Sequence, residues 1–503
     1  MTKKKNILFI TSDQQHWLTM GKLNPEIKTP NLDKLADMGT TFTRAYTVNP
    51  TCTPTRASWI TGLYPSQHGA WSLGTKLQET VPVIGDMMRE SGMHSTLIGK
   101  AHFQPLASTE EFPSLESYPI LQDLGFWRQY SDRFYGFDHV ELARNHTNEA
   151  HAGQHYALWL EEKGCKNWRD YFLPPTGNMK EDERYVWKIP EKFHYDTWIA
   201  ERTNHWLDTY KETNQQFFLW ASFFDPHPDY FVPEPWASMY DPQTLTVPKA
   251  VSGEHLNSPP HIQETQKISP DFSSYRETGK EIHGFHCHLE EEENVRKDMA
   301  IYYGMVSMMD HYIGKILDNL EKNGQIESTL IVFTSDHGHY LGHHGLTAKG
   351  AFHYDDGIKV PFIAACPGEI PQGVVSDSLL SLVDIAPTFL TEAGCPVPGI
   401  MSGKDMSSLF RNPESTLREV VICENQHEPT TVNLRTYIDQ RYKITLYYQR
   451  EYGELYDLQE DPGELDNLWD NPEAGKIKAK LIQQAVWAEM DKALLSMPRI
   501  AGA

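Results

Sequence analysis

Two apolar segments of this chain run into a carboxylate in the same way. Asn6-Ile7-Leu8-Phe9-Ile10-Thr11-Ser12-Asp13 and Leu330-Ile331-Val332-Phe333-Thr334-Ser335-Asp336 both end Thr-Ser-Asp. A carboxylate at the C-terminal end of a sheet strand stands where α/β proteins place their ligands. Either residue alone reads as a surface Asp capping a following helix. The repetition, with Gln14 and His337 next in each segment, points to one shared divalent cation, and oxygen-rich donors suit a hard ion such as calcium. Between the two lies Cys52, in Cys52-Thr53-Pro54-Thr55-Arg56. A free cysteine is ordinarily a small buried apolar residue, so only its surroundings single it out.

Three further segments carry groups of the same kind. Gly99-Lys100-Ala101-His102 follows an expected strand, Asp225-Pro226-His227-Pro228 follows another, and Lys349 closes Gly345-Leu346-Thr347-Ala348-Lys349. Each alone reads as an ordinary loop. The cluster His283, His286, Cys287 and His288 contains zinc-type donors, but its spacing fits no tetrahedral site. His339, His343 and His344 follow the second acidic strand closely and are expected to line a cleft without a chemical role.

Two acidic strand ends with a Cys-x-Pro-x-Arg segment between them resemble the formylglycine-dependent sulfatases of the alkaline phosphatase superfamily, bacterial type. The resemblance runs over most of the chain, and Gly453-Glu454-Leu455-Tyr456-Asp457-Leu458 is similar to the family's C-terminal signature. It implies that a maturation enzyme oxidises Cys52 to formylglycine, whose hydrate attacks sulfur and later expels sulfate from a covalent ester. It implies Asp13, Gln14, Asp336 and His337 as metal ligands. Arg56 would brace the site, and Lys100 and Lys349 would bind sulfate oxygens. His102 would take a proton from the hydrate, and His227 would protonate the leaving alkoxide. Gln14 and His337 depart from the Asp and Asn common in sulfatases. They look more like the choline-sulfatase and phosphonate-hydrolase branches, which leaves calcium, magnesium and manganese open. A phosphonate monoester or phosphodiester hydrolase is therefore the nearest rival, and an inactive sulfatase-like binding protein a more distant one.

These side chains need a rigid frame. Helices are expected over 31–38, 57–61, 81–89, 196–211, 291–322 and 385–393, with strands over 6–12, 95–98, 217–223, 330–335 and 360–365. The alternation argues for an α/β fold with a large mixed, mostly parallel sheet. The resemblance makes it an alkaline-phosphatase-like α/β/α sandwich. Residues 104–190 and 225–288, rich in aromatics and prolines, read as irregular insertions that shape the pocket. A composition change near 396–404 divides a catalytic domain (1–400) from a small α+β subdomain (401–503) with strands at 420–423 and 442–448 and a helix at 474–494.

Bulk properties narrow the partners. A formal charge of −23 disfavours nucleic acid and a long sulfated polymer, leaving a small or oligosaccharide sulfate ester. The aromatic insertions favour a sugar. Six scattered cysteines do not read as a disulfide framework. No run approaches a membrane span, and the N-terminal apolar run is too short for a signal peptide. The expected location is cytoplasmic, or periplasmic or secreted if a leader has been removed. Oligomeric state is not legible.

Overall fold

The computed structural model describes residues 4–144, 152–172, 185–249, 251–494 and 499–502. Eight strands form the main sheet: β1 (Asn6–Ser12), β2 (Gly39–Phe42), β3 (His94–Gly99), β4 (His139–Leu142), β5 (Phe217–Ser222), β6 (Thr329–Ser335), β7 (Phe362–Ala365) and β8 (Val374–Ser376). Across the sheet they run β8-β2-β7-β6-β1-β5-β3-β4. β7 is antiparallel to both its neighbours, and the other adjacent pairs are parallel.

Alternation along the strands divides the apolar side chains between two faces. Leu8, Ile10, Leu219, Ala221, Ile331 and Phe333 bury against the helices Pro30–Asp37, Tyr195–Thr213 and Glu292–Lys322. Ile7, Phe9, Phe218, Trp220, Leu330 and Val332 bury on the other side, with Trp59 and Ile60 of the helix Cys52–Thr61 and with the helix Ile385–Glu392. Phe9 meets Trp59 edge-on at 5.2 Å. Its replacement by Ala would cost about 3–5 kcal/mol, the usual price of an emptied aromatic core site. The expected α/β/α sandwich is thus the observed one.

Several local expectations change. Thr29, a residue type that commonly caps helices, precedes the first helix without capping it; its hydroxyl accepts from Gly21 N at 2.7 Å. Asp310, from the long helix, takes over by accepting from Asn31 N at 3.1 Å and Leu32 N at 2.7 Å. The 104–190 stretch is not simply irregular. It holds the helices Leu124–Gln129 and Gln154–Glu162 and contributes β4, the edge of the main sheet; residues 145–151 and 173–184 of it lie outside the described residues. Short elements also punctuate 225–288, including the helix Pro260–Thr265.

Toward the C-terminus, β9 (Val421–Gln426), β10 (Asn433–Ile438), β11 (Tyr442–Tyr447) and β12 (Gly453–Asp457) form an antiparallel sheet. The helix Gly475–Asp491 packs on it through Leu481 and Ala485. The family-like signature at 453–458 is strand β12 and its exit, so its role is architectural. β10 escaped the sequence reading because polar Asn433, Arg435 and Thr436 leave it too few apolar residues to stand out.

Candidate active site

Strand register brings the acidic ends together. Ser12 lies opposite Ser335, Thr11 opposite Ser222, and Ser222 opposite Gly99. Asp13, Asp336, Lys100 and the loop after β5 therefore leave the sheet along one edge. Gly99 is required there: its φ is +107°, and a Cβ would stand 2.0 Å from the Ser222 carbonyl oxygen. That close approach lets Lys100 N donate to the same oxygen at 3.1 Å.

Cys52 opens the helix Cys52–Thr61, which therefore begins five residues earlier than the spacing suggests and ends, as expected, at Gly62 with φ +65°. The approach is tied down by Asn49, whose Oδ1 accepts from Thr51 N at 2.9 Å and whose carbonyl accepts from Thr55 Oγ1 at 2.8 Å. The Cys52 sulfur lies 3.1 Å from Lys349 Nζ, 3.2 Å from His337 Nε2, 3.7 Å from Asp13 Oδ1 and 3.9 Å from Lys100 Nζ. Burial pushes the thiol above its ordinary pKa and Asp13 adds to the shift, which Lys100 and Lys349 only partly offset. As a thiol, residue 52 is a poor nucleophile despite its position.

Arg56 is the brace. Fully buried, it donates from Nε to Asp336 Oδ2 at 2.8 Å and from Nη2 to Asp13 Oδ2 at 3.2 Å. Nη1 donates to the Lys100 carbonyl at 3.0 Å and Ser222 Oγ at 2.9 Å. Lys100 also pairs with Asp13. Burial would raise the Asp13 pKa, but Lys100, Arg56, Lys349 and His337 together hold it well below the usual carboxylate range. Asp336 is likewise held down, with His337 and Arg56 outweighing burial and its neighbour Asp13.

The remaining donors fit a cation. Asp13, Cys52, Asp336 and His337 present ligand atoms all within 4.8 Å of one another. His337 Nδ1 faces the Gly338 carbonyl at 3.0 Å, which fixes the N–H there and leaves an Nε2 lone pair facing the cluster. Burial lowers the His337 pKa to about 4, keeping the ring neutral. Gln14 sits in the left-handed region with φ 62°, and its Nε2 is held by His339 Nδ1 at 2.8 Å. Its Oε1 is buried with no hydrogen-bond partner, an arrangement that suits an oxygen ligand to a metal. His339, to which the sequence reading assigned no chemistry, thus orients the Gln14 amide.

The structure gathers the other expected residues in the same place. Lys349 Nζ lies 3.1 Å from His227 Nε2 and 3.2 Å from His337 Nε2. His102 is 7% exposed, with a buried unpartnered Nδ1; burial, then the charges of Arg144, Lys100 and Arg56, hold it neutral and able to accept a proton. Glu116 and Arg144 were missed. Glu116 accepts from His102 N at 2.7 Å and pairs with the buried Arg144 at 3.1 Å. They lie in the supposedly irregular insertion, where no periodic signal marks them.

Among the described residues the four zinc-type donors form no ligand cluster. His286 and His288 stack at 4.3 Å, and both His288 nitrogens are committed, to Gly284 O at 2.8 Å and Thr347 N at 3.1 Å. His343 and His344 turn instead toward Asp356 and line a separate cavity of about 850 Å³.

Fold and site together define a hydrolase built on the alkaline phosphatase scaffold, with a buried, cation-rich cup for a tetrahedral anion. The family model described as Sulfatase matches residues 5–395, and one described as N-sulphoglucosamine sulphohydrolase, C-terminal, matches residues 342–491. An arylsulfatase of Clostridium perfringens is 27% identical over 479 residues, 93% of this chain and 91% of the relative. A phosphonate monoester hydrolase of Agrobacterium radiobacter superposes with a TM-score of 0.79 at 23% identity, covering 99% of this chain and 98% of that one. A protein solved with its substrate D-glucosamine-2-N,6-O-disulfate superposes with a TM-score of 0.73 at 20% identity, covering 97% and 98%. The chain belongs to the sulfatase family and is a hydrolase of sulfate esters.

Proposed function

We propose that this chain hydrolyses a sulfate monoester on a sugar or short oligosaccharide, with residue 52 oxidised from cysteine to formylglycine as the nucleophile. The position of Cys52 carries the reading. Its sulfur lies between two ammonium groups and the Asp13–Asp336–His337 cluster, where burial and Asp13 raise the thiol's pKa and make it a weak nucleophile. The hydrate of formylglycine supplies a hydroxyl nucleophile, and a bound divalent cation supplies positive charge for that hydroxyl and the ester oxygens. Asp13, Gln14, Asp336 and His337 would hold the cation. We place calcium first because three of the four donors are oxygens; the imidazole makes manganese the alternative, ahead of magnesium.

The chain's own residues do the rest. Lys100 and Lys349 face sulfate oxygens as negative charge builds on them. His102, neutral and buried, accepts the proton of the second hydroxyl. His227 has its Nδ1 held to the Pro228 carbonyl, which leaves Nε2, beside Lys349, as the nitrogen that would carry a proton to the leaving alkoxide once the ring is protonated. A formylglycine-generating enzyme is the implied maturation partner. The sugar preference draws on the disulfated glucosamine bound by one structural neighbour and on the −23 charge, which disfavours an extended polyanion.

Mass spectrometry of protein from a maturation-competent host should show the aldehyde at residue 52; full activity with an intact thiol there would reject the mechanism. A sulfate-release screen over defined sulfated sugars and aryl sulfates would identify the substrate class. A second reading, phosphonate monoester hydrolysis, is favoured by the Gln14 and His337 pair and by the likeness to the Agrobacterium enzyme. Catalytic efficiencies on aryl sulfate and aryl phosphonate at one pH separate the two.

A further inference from the structure

Behind the loop that carries His227 lie two buried acids that the proposed chemistry does not use. Asp196 and Asp225 are fully buried and, with His194, place ligand-type atoms within 4.8 Å of one another. Tyr195 Oη donates to Asp225 Oδ1 at 2.6 Å. If both groups are counted as carboxylates, Asp225 Oδ2 and both oxygens of Asp196 lack a donor. Among the described residues no lysine or arginine acts on either one; the groups that act on Asp225 are Tyr195 and Asp196. His194 does not supply the missing charge, since burial lowers its pKa to about 3, and its Nδ1 already accepts from Asp196 N at 3.2 Å. The same bond engages the lone pair a metal would need.

Two adjacent anions in a dry pocket, with no cation beside them among the described residues, are strongly disfavoured. One proton held between them removes a charge and supplies the missing donor, the device by which a buried carboxylic acid stays neutral and donates. We propose that Asp196 stands as a neutral carboxylic acid hydrogen-bonded to the Asp225 carboxylate, and that this pair positions His227 for proton delivery. The inference rests on the reading of His227 as the general acid. The linkage is short. Asp196 and Tyr195 begin the helix Tyr195–Thr213 and grip the Asp225 side chain, while the Asp225 carbonyl accepts from Asp13 N at 3.2 Å. His227 follows two residues later, in a turn closed by His227 N donating to Phe224 O at 3.0 Å. Asp196 and Asp225 are positioning residues.

The test compares two sulfate esters, one with an acidic nitrophenol and one with an alkyl alcohol as leaving group, since only the second needs a proton in the transition state. Asp196→Leu should reduce kcat on the alkyl ester at least about 10-fold more than on the nitrophenyl ester, the pattern of impaired general acid catalysis. Asp196→Asn, which still donates an N–H to Asp225, should stay within about threefold of wild type on both. Equal losses on the two esters, or an Asn variant as damaged as Leu, would overturn the proposal. His227→Ala is measured in parallel. If it lacks leaving-group dependence, the general-acid reading falls and this inference with it. If it shows that dependence and Asp196→Leu does not, only the positioning inference falls. Should Asp196→Leu not fold, Tyr195→Phe removes the other donor to Asp225 and should give the same dependence more weakly. Infrared difference spectra of wild type against Asp196→Asn should show a carboxylic-acid carbonyl band. Its absence, or a second stoichiometric cation by metal analysis, would overturn the assignment.

Discussion

Two clusters of buried charge lie near the chain that follows β6, and they are built to opposite rules. Around Asp336, three cations (Arg56, Lys100 and Lys349) face two carboxylates, while Gln14 Oε1 and His337 Nε2 keep lone pairs toward the centre. Around Asp356, His344 sits between two acids, with Nε2 3.5 Å from Asp356 Oδ2 and Nδ1 2.5 Å from Glu254 Oε1, and His16 Nε2 lies 2.8 Å from Asp356 Oδ1. The second cluster sets its charges against one another. Burial would lower the His344 pKa, yet Asp356 and Glu254 raise it to about 9, so it stands as a cation between anions. A binding site leaves donors and acceptors uncommitted; a structural network uses them up.

The largest expected contrast comes from Cys52→Ala, which should abolish turnover, by about 10⁴-fold or more, as loss of a nucleophile does. Its thermal midpoint should stay within about 2 °C of wild type, because a single small side chain is lost from a large protein. Next, chelation or Asp336→Asn should remove one equivalent of divalent cation by elemental analysis and lower kcat by about 10²–10³-fold. Arg56→Met should cost both activity and stability within the first cluster: it leaves Asp13 and Asp336 buried and unbraced, so unfolding free energy should drop by about 3–5 kcal/mol along with activity.

His344→Gln should do the reverse and leave kcat intact. The folded pKa lies above the unfolded value of about 6.5, so this ion pairing contributes fully below pH 6.5 and fades as pH rises through about 9. Denaturant midpoints should show wild type ahead of the variant by about 3 kcal/mol at pH 6, the difference closing by pH 10. If His344→Gln reduced turnover instead, the division between the two clusters would fail. The smallest effect belongs to His286→Ala, expected within about 0.5 kcal/mol of wild type, with no change in zinc content.

Much of the site was legible because its residues are local. Asp13 and Asp336 each end an apolar strand, and Cys52-x-Pro54-x-Arg56 is a contiguous pattern, so each could be picked out without knowing what lay across from it. The main helices were readable to within a few residues from their apolar periodicity. Elements whose stability comes from partners were not. β4 is only four residues long and β10 carries several polar residues, and the ladder hydrogen bonds of their neighbours hold them. The Asp310 cap arrives from nearly 280 residues away.

What this sequence determined alone was the inventory: two acids on strands, a cysteine in a maturation-type pattern, and the lysines and histidines that could serve it. Which of those histidines are chemical was decided only by folding. His337, His339 and His344 lie within eight positions of one another, yet one turns its Nε2 toward the acidic cluster, one steadies the Gln14 amide and one is spent as a buried cation. Side-chain type sets what a group can do; protonation and availability depend on burial and on neighbours brought from distant segments, and those exist only in three dimensions.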